Sequence, residues 1–212
     1  MANSRQPNDS ADSWQHGGNH GTLASPFPRA VVLVGLMGAG KTAVGRLLAE
    51  RLSLPFVDAD REIETAAGLT INEIFARHGE PFFREREEKV MTRLLSGPPR
   101  VIAAGGGAFM SAATRERIKE MGISVWLKAD IDLLMRRTAK RTHRPLLAGD
   151  NPRAVLERLD RERGSTYATA DITVETTDEP ADSVADRIVT ALEAYVAGGR
   201  RSAPAAAQRG QP

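Results

Sequence analysis

Short apolar runs rich in β-branched residues alternate along this chain with longer stretches in which apolar positions recur every three or four residues. Ala30 to Val34 is an unbroken apolar run, the pattern of a strand buried on both faces. A glycine-rich loop follows, then a helical stretch predicted over 42–52 with Val44, Leu47, Leu48 and Leu52 on one face. Residues 54–57 predict a second strand ending at Asp58, and helices are expected over 60–67, 71–78 and 82–95. A third strand at 101–104 stops at three consecutive glycines. Beyond it the pattern predicts a helix near 111–121, a strand at 123–127, a helix near 130–140, a helix at 152–168, a strand at 172–174 and a closing helix at 180–196. Strands alternating with helices specify an α/β fold, a five-stranded parallel sheet in a three-layer α/β/α arrangement. Ligands then belong at the carboxyl ends of the strands.

Composition narrows the class. The 41% hydrophobic content over 212 residues supports one packed domain, expected over 29–197. Residues 1–28 and 198–212 lack periodicity and read as a disordered leader and tail. His16 and His20, in that leader, read as solvated rather than metal-binding. The absence of cysteine excludes a disulfide framework, a thiolate metal site and a cysteine nucleophile. No apolar run approaches the roughly 20 residues that span a bilayer, and the start lacks the apolar centre of a secretory signal. The expectation is a cytoplasmic protein without a membrane partner. The lack of an obvious exposed apolar stripe points to a monomer. A pI near 9.2 suggests nucleic acid, but the charge is misplaced for it. Arg200, Arg201 and Arg209 put the basic excess in the tail and leave the body 29–197 neutral, so no nucleic-acid face is expected.

The loop after the first strand reads Gly35-Leu36-Met37-Gly38-Ala39-Gly40-Lys41-Thr42, a full match to G-x-x-x-x-G-K-[ST] between a buried strand and an amphipathic helix. Its glycines let backbone N–H groups curl around an anion, and the helix start adds partial positive charge at the same point. Gly38, Ala39, Gly40, Lys41, Thr42 and Ala43 are the expected nucleotide-phosphate contacts, with Lys41 on the β- and γ-phosphates and the Thr42 hydroxyl on Mg²⁺. Asp58-Ala59-Asp60 follows the second strand. On extended chain, spacing i, i+2 sends both carboxylates to one side, where one could hold Mg²⁺ through water and the other a substrate hydroxyl. Asp60 is equally well placed to be the N-cap of the helix beyond it.

Taken together in this order, residues 35–42, 58–60, 79–87 (GEPFFRERE), 105–107 (GGG) and 144–147 (RPLL) resemble the shikimate kinases, a family of the nucleoside-monophosphate-kinase-like P-loop group. The resemblance runs through most of 30–196. It implies a P-loop kinase fold with a mobile lid at about 140–151, Mg²⁺ as cofactor, and ATP/ADP and shikimate as partners. It further implies that Asp58 supports Mg²⁺ and that Asp60 binds the hydroxyl to be phosphorylated. Arg84 and Arg163 would hold the substrate carboxylate, a task that suits the planar guanidinium fork. Glu87 would orient Arg84, although charge spacing alone also allows Arg84 a surface pair with Glu87 or Glu88. Gly105, Gly106 and Gly107 would admit the substrate, with the Gly106 N–H as the contact. Arg144, on the lid, would bring positive charge to the transferring phosphoryl group, and Arg137 would pack near the adenine. Lys41, Asp60 and Arg144 are thus the expected catalytic groups. Gly164 and Ser165 depart from the family pattern, which often has proline where Ser165 stands.

Two other readings belong beside this one. A hydroxy-acid kinase of the same fold, such as a gluconate kinase, would also use carboxylate-binding arginines. A regulatory module could keep the nucleotide site without catalysis.

Overall fold

The computed structural model describes residues 27–139 and 151–198. The expected lid with Arg144, and nearly all of the expected leader and tail, lie outside the described residues. Phe27, expected in the leader, is instead part of the core: it is 5% exposed, and its N–H donates to the Leu52 carbonyl at 3.4 Å.

Five described strands, β1 (Ala30–Val34), β2 (Phe56–Asp58), β3 (Val101–Ala103), β4 (Gly122–Ala129) and β5 (Ile172–Thr176), form one parallel sheet in the order β2-β3-β1-β4-β5. β1 is central, with Val32 paired to Ile102 on one side and to Ser124 on the other. Every residue of β1 is buried, as its unbroken apolar run requires of a strand covered on both faces. The chain places β2 and β3 on one side of β1, and then β4 and β5 on the other. The connections therefore diverge at the carboxyl end of β1, where open α/β sheets bind their ligands.

Helices α1 (Lys41–Leu52), α2 (Ala59–Ala67), α3 (Ile71–Leu95), α4 (Ala112–Met121), α5 (Ile131–Ala139), α6 (Pro152–Tyr167) and α7 (Ala181–Ala197) cover the two faces. α1 packs against α7, α3 against α2 and α4, and α5 against α6. The amino ends of α2, α3, α4 and α6 are closed by the side chains of Asp58, Thr70, Ser111 and Asn151. α1 differs. Its N-cap is Gly40, at φ 96°, with no side-chain hydrogen bond and no acid in the first turn. The helix expected over 152–168 runs unbroken through Gly164 and Ser165, so the departure from the family pattern leaves the backbone helical.

The two helices expected over 71–78 and 82–95 form one element bent at a single residue. Gly79 sits at φ 77°, ψ 174°, a conformation essentially restricted to glycine, and Pro81 follows within the first turn of the second segment, where its missing N–H costs nothing. A Cβ at Gly79 would meet only the Pro81 ring at 3.7 Å, so the requirement is one of backbone angle, not of space. Gly79→Ala is expected to lower the unfolding free energy by about 1–3 kcal/mol, measured by urea titration. An unchanged midpoint would show that the bend tolerates a side chain.

Candidate active site

The carboxyl ends of β1, β2 and β3 open into a cleft of about 1300 Å³, and the loop from β1 to α1 forms one wall of it. Gly38, Ala39, Gly40, Lys41, Thr42 and Ala43 all line this cleft. The Lys41 ammonium bends back over the loop, donating to the carbonyls of Gly35 (2.7 Å) and Leu36 (3.1 Å). A fixed cation, an uncapped helix start and glycine backbone converge here, the combination that binds phosphate.

The two aspartates reach the cleft by a route other than the extended spacing expected for them. β2 ends at Asp58, and the chain turns at once into α2, so Asp60 is helical. Asp58, rather than Asp60, is the N-cap: its Oδ1 accepts the Asp60 N–H at 3.2 Å. Its Oδ2 accepts the Thr42 hydroxyl proton at 2.9 Å. Both carboxylates still line the cleft, because the first turn of a helix swings i+2 around the cap instead of along a strand.

Beyond Asp60 the three glycines following β3 bring acidic and basic groups close. A Cβ at Gly105 would lie 2.6 Å from both Asp60 Oδ1 and Glu87 Oε1, and one at Gly107 would collide with the Arg84 guanidinium. A Cβ at Gly106 would meet nothing nearer than Arg163 Nη1 at 3.6 Å. A side chain at 105 or 107 would displace these carboxylates or the guanidinium, while none of the described residues crowds one at 106.

Arg84 is held at both edges of its fork. Nη1 donates to Glu87 Oε2 at 2.8 Å, and Nε and Nη2 both donate to Glu80 Oε1, at 3.1 and 2.8 Å. Glu88 takes no part, accepting instead from Ser111. Glu87 is buried, and its Oε1 has no hydrogen-bond partner among the described residues. Burial pushes its carboxyl above the ordinary range, and the charge of Asp60 adds to this, while Arg84 and Arg163 oppose it. On the far side, α6 presents Arg163 and Tyr167 one turn apart on one face; both donate to the Gly106 carbonyl, at 2.8 and 2.5 Å. Arg137 lines the cleft beside the phosphate loop and donates to the Thr177 carbonyl at 2.8 Å. Arg144 lies outside the described residues. The sequence pattern did not single out Glu80 or Tyr167. Glu80 was visible as an i, i+4 partner of Arg84 within the GEPFFR segment, whereas Tyr167 marks the position of Arg163 in the family pattern without a role of its own.

A family profile described as shikimate kinase matches residues 37–193. The chain belongs to the shikimate kinase family. A shikimate kinase of Paramagnetospirillum magneticum is 54% identical over 174 residues, 82% of this chain and 89% of that one. One from Bradyrhizobium diazoefficiens is 50% identical over 184 residues, covering 87% and 89%. Among solved structures, shikimate kinase from Acinetobacter baumannii in complex with shikimate superposes with a TM-score of 0.76 at 42% identity, covering 78% of this chain and 93% of that one. The three-layer sheet architecture is that of shikimate kinase structures. The matched span includes every described site group from Gly38 to Arg163.

The raised Glu87 carboxyl has a definite sign. The folded protein holds this proton more tightly than the unfolded chain does, so the stabilisation is complete below the ordinary carboxylate value near 4.5 and is lost as pH rises through the folded value. Glu87→Gln should therefore gain stability relative to the parent between about pH 4 and pH 7. Parallel melting-temperature profiles of the two proteins over that range would contradict the shift.

Proposed function

We propose that the protein transfers the γ-phosphoryl group of ATP to the 3-hydroxyl of shikimate, giving shikimate 3-phosphate and ADP. One observation carries the reading: directly beside a phosphate loop, Asp60 and two arginines, Arg84 and Arg163, surround a glycine turn that leaves room at residue 106. A small hydroxylated carboxylate matches that set. An adenine-bearing acceptor would find neither its base partners nor a second phosphate cradle among these groups.

In this reading the loop N–H groups and Lys41 hold the β- and γ-phosphates, with Lys41 exchanging the Gly35 and Leu36 carbonyls for phosphate oxygens. Asp60 orients the acceptor hydroxyl and accepts its proton as that oxygen bonds to the γ-phosphorus and the bond to the β–γ bridging oxygen breaks, leaving ADP. The Arg84 fork already grips one carboxylate oxygen of Glu80 through two donors. The Glu80 side chain is 61% exposed, so this pair is weak and readily exchanged for a substrate carboxylate. Glu87 keeps the other edge of the guanidinium fixed during that exchange. Arg163 supplies the second carboxylate contact. Arg137 packs near the adenine, and Arg144 is assigned the positive charge at the transferring group.

Mg²⁺ belongs to the same reading, and the donor set suits it. The Thr42 hydroxyl gives its only proton to Asp58, which leaves its lone pairs for a cation beside a carboxylate. Among the described residues no group of three or more acidic or histidine side chains is placed to hold a metal ion. When bound, Mg²⁺ neutralises charge on the phosphates. A cytoplasmic monomer fits as well: both substrates are water-borne anions, and one chain supplies every group invoked. No described helix is long and apolar enough to cross a membrane.

A coupled ADP-release assay with Mg²⁺-ATP is expected to show turnover with shikimate and none with gluconate. Gluconate-dependent turnover alone would replace the acceptor, and ATP binding without turnover on either would favour a regulatory module. Lys41→Ala should lower kcat by about 10²–10³-fold or more while the melting temperature holds. Arg84→Ala should raise the KM for shikimate by about 10- to 100-fold with ATP affinity unchanged, because it removes a carboxylate partner. Loss of ATP affinity instead would assign Arg84 to the other ligand.

A further inference from the structure

Outside the groups already given roles, one buried side chain is aimed directly at the acceptor side of the cleft. Tyr167, the last residue of α6, is 1% exposed. Its ring stacks on Trp126 of β4 at 5.9 Å and on Phe109, just beyond the glycine turn, at 6.4 Å. Packed against both rings and almost fully buried, the ring has little room to swing, so the phenol oxygen is held in place. That point is 2.5 Å from the Gly106 carbonyl oxygen, which also accepts Arg163 Nη1 at 2.8 Å. Two donors from successive turns of one helix thus share one acceptor 61 residues away in the chain from Tyr167.

Sharing that acceptor constrains two things at once. A planar trans peptide carries its C=O and N–H in opposite directions, so fixing the Gly106 carbonyl toward α6 directs the Gly107 N–H away from it. The three glycines have little rotational restraint of their own, and these two hydrogen bonds fix the Gly106 carbonyl between those of Gly105 and Gly107, which accept from the Ala108 and Met110 N–H groups. Arg163 is constrained in return. With Nη1 committed to the carbonyl, the plane of its guanidinium is set and its remaining donors are presented in one orientation. Burial pushes the phenol up to about 12, against the Arg163 charge beside it, so it keeps its donor proton throughout the working range.

We propose that Tyr167 is a positioning residue for the acceptor: through the Gly106 carbonyl it shares with Arg163, its hydroxyl sets the direction of the glycine turn and of the arginine fork that face the substrate. The inference rests on the acceptor site described above. It assigns Tyr167 no contact with substrate, only with the two elements that make such contacts.

Tyr167→Phe removes the hydroxyl and keeps the stacked ring, and Gly106 retains Arg163, so no buried carbonyl is orphaned. The expected result is a KM for shikimate raised about 5- to 20-fold, with kcat and the KM for ATP within about twofold and the melting temperature nearly unchanged. In the Arg163→Lys background the same change should cost a clearly different factor, because both groups act through one acceptor. An unchanged KM for shikimate overturns the proposal. So does a fall in melting temperature with both KM values raised together, which would make the hydroxyl a general structural support, and so do fully additive effects in the double variant. The parent enzyme, measured alongside, separates the two levels. A parent without shikimate turnover removes the acceptor reading and this inference with it, whereas an active parent with an unaffected Tyr167→Phe removes only the inference.

Discussion

The amino end of α1 is the constraint around which the cleft is organised. Five other helices, α2 to α6, close their first turn with a side chain, but α1 starts at a glycine in a left-handed conformation and offers its N–H groups without a protein acceptor from a side chain. Such an end is costly to bury and is best satisfied by an anion. It stays in place because the opposite face of the helix is anchored: Leu48 and Leu52 are fully buried against the sheet, and Arg51 ties the last turn to Asp182 and Asp186 of α7. The apolar anchoring does most of this, since both acidic partners are largely exposed and ion pairs of that kind contribute little.

From that end the remaining groups follow by proximity. Thr42, in the first turn, meets Asp58, and Asp58 caps α2, which carries Asp60 toward the glycine turn. A side chain at 105 or 107 would push aside the acidic and guanidinium groups that occupy that space. Charge is balanced locally: Glu87 is buried with one oxygen unpartnered among the described residues, and Arg84 and Arg163 offset its desolvation. A buried acid of this sort costs stability and is retained where it fixes the direction of a neighbouring cation. Here that cation is Arg84, gripped firmly on its buried edge and loosely on its exposed one.

Legibility of these features in the sequence tracked their locality. Residues 35–42 are eight contiguous positions, and the glycine-rich turn between a buried strand and a helix that they specify is present. The strands β1 and β3 announced themselves as apolar runs, and Gly79 with Pro81 marked the break between two helical patterns. Arg84 and Glu87 were legible as a pair through their i, i+3 spacing. The role of Asp58 as the cap was misread, because whether a chain leaves a strand extended or enters a helix at once is a matter of one or two residues that periodicity does not resolve. Tyr167 had no role of its own in the sequence, since its meaning lies in Gly106, distant along the chain and adjacent only once α6 packs against the turn at 108–110.

What the amino-acid order determined alone was therefore the set of local geometries: which segments are strands, which are helices, and where a loop would cradle phosphate, all of them dictated by hydrophobic period and by backbone freedom at a few glycines. The tertiary structure decided which distant groups share a neighbour. Asp60, Glu87, Arg84, Arg163 and Tyr167 come from three different helices, and only the packing of those helices around one sheet edge brings their charges within range of a common glycine turn, because interactions of that length depend on position in space and not on separation in sequence.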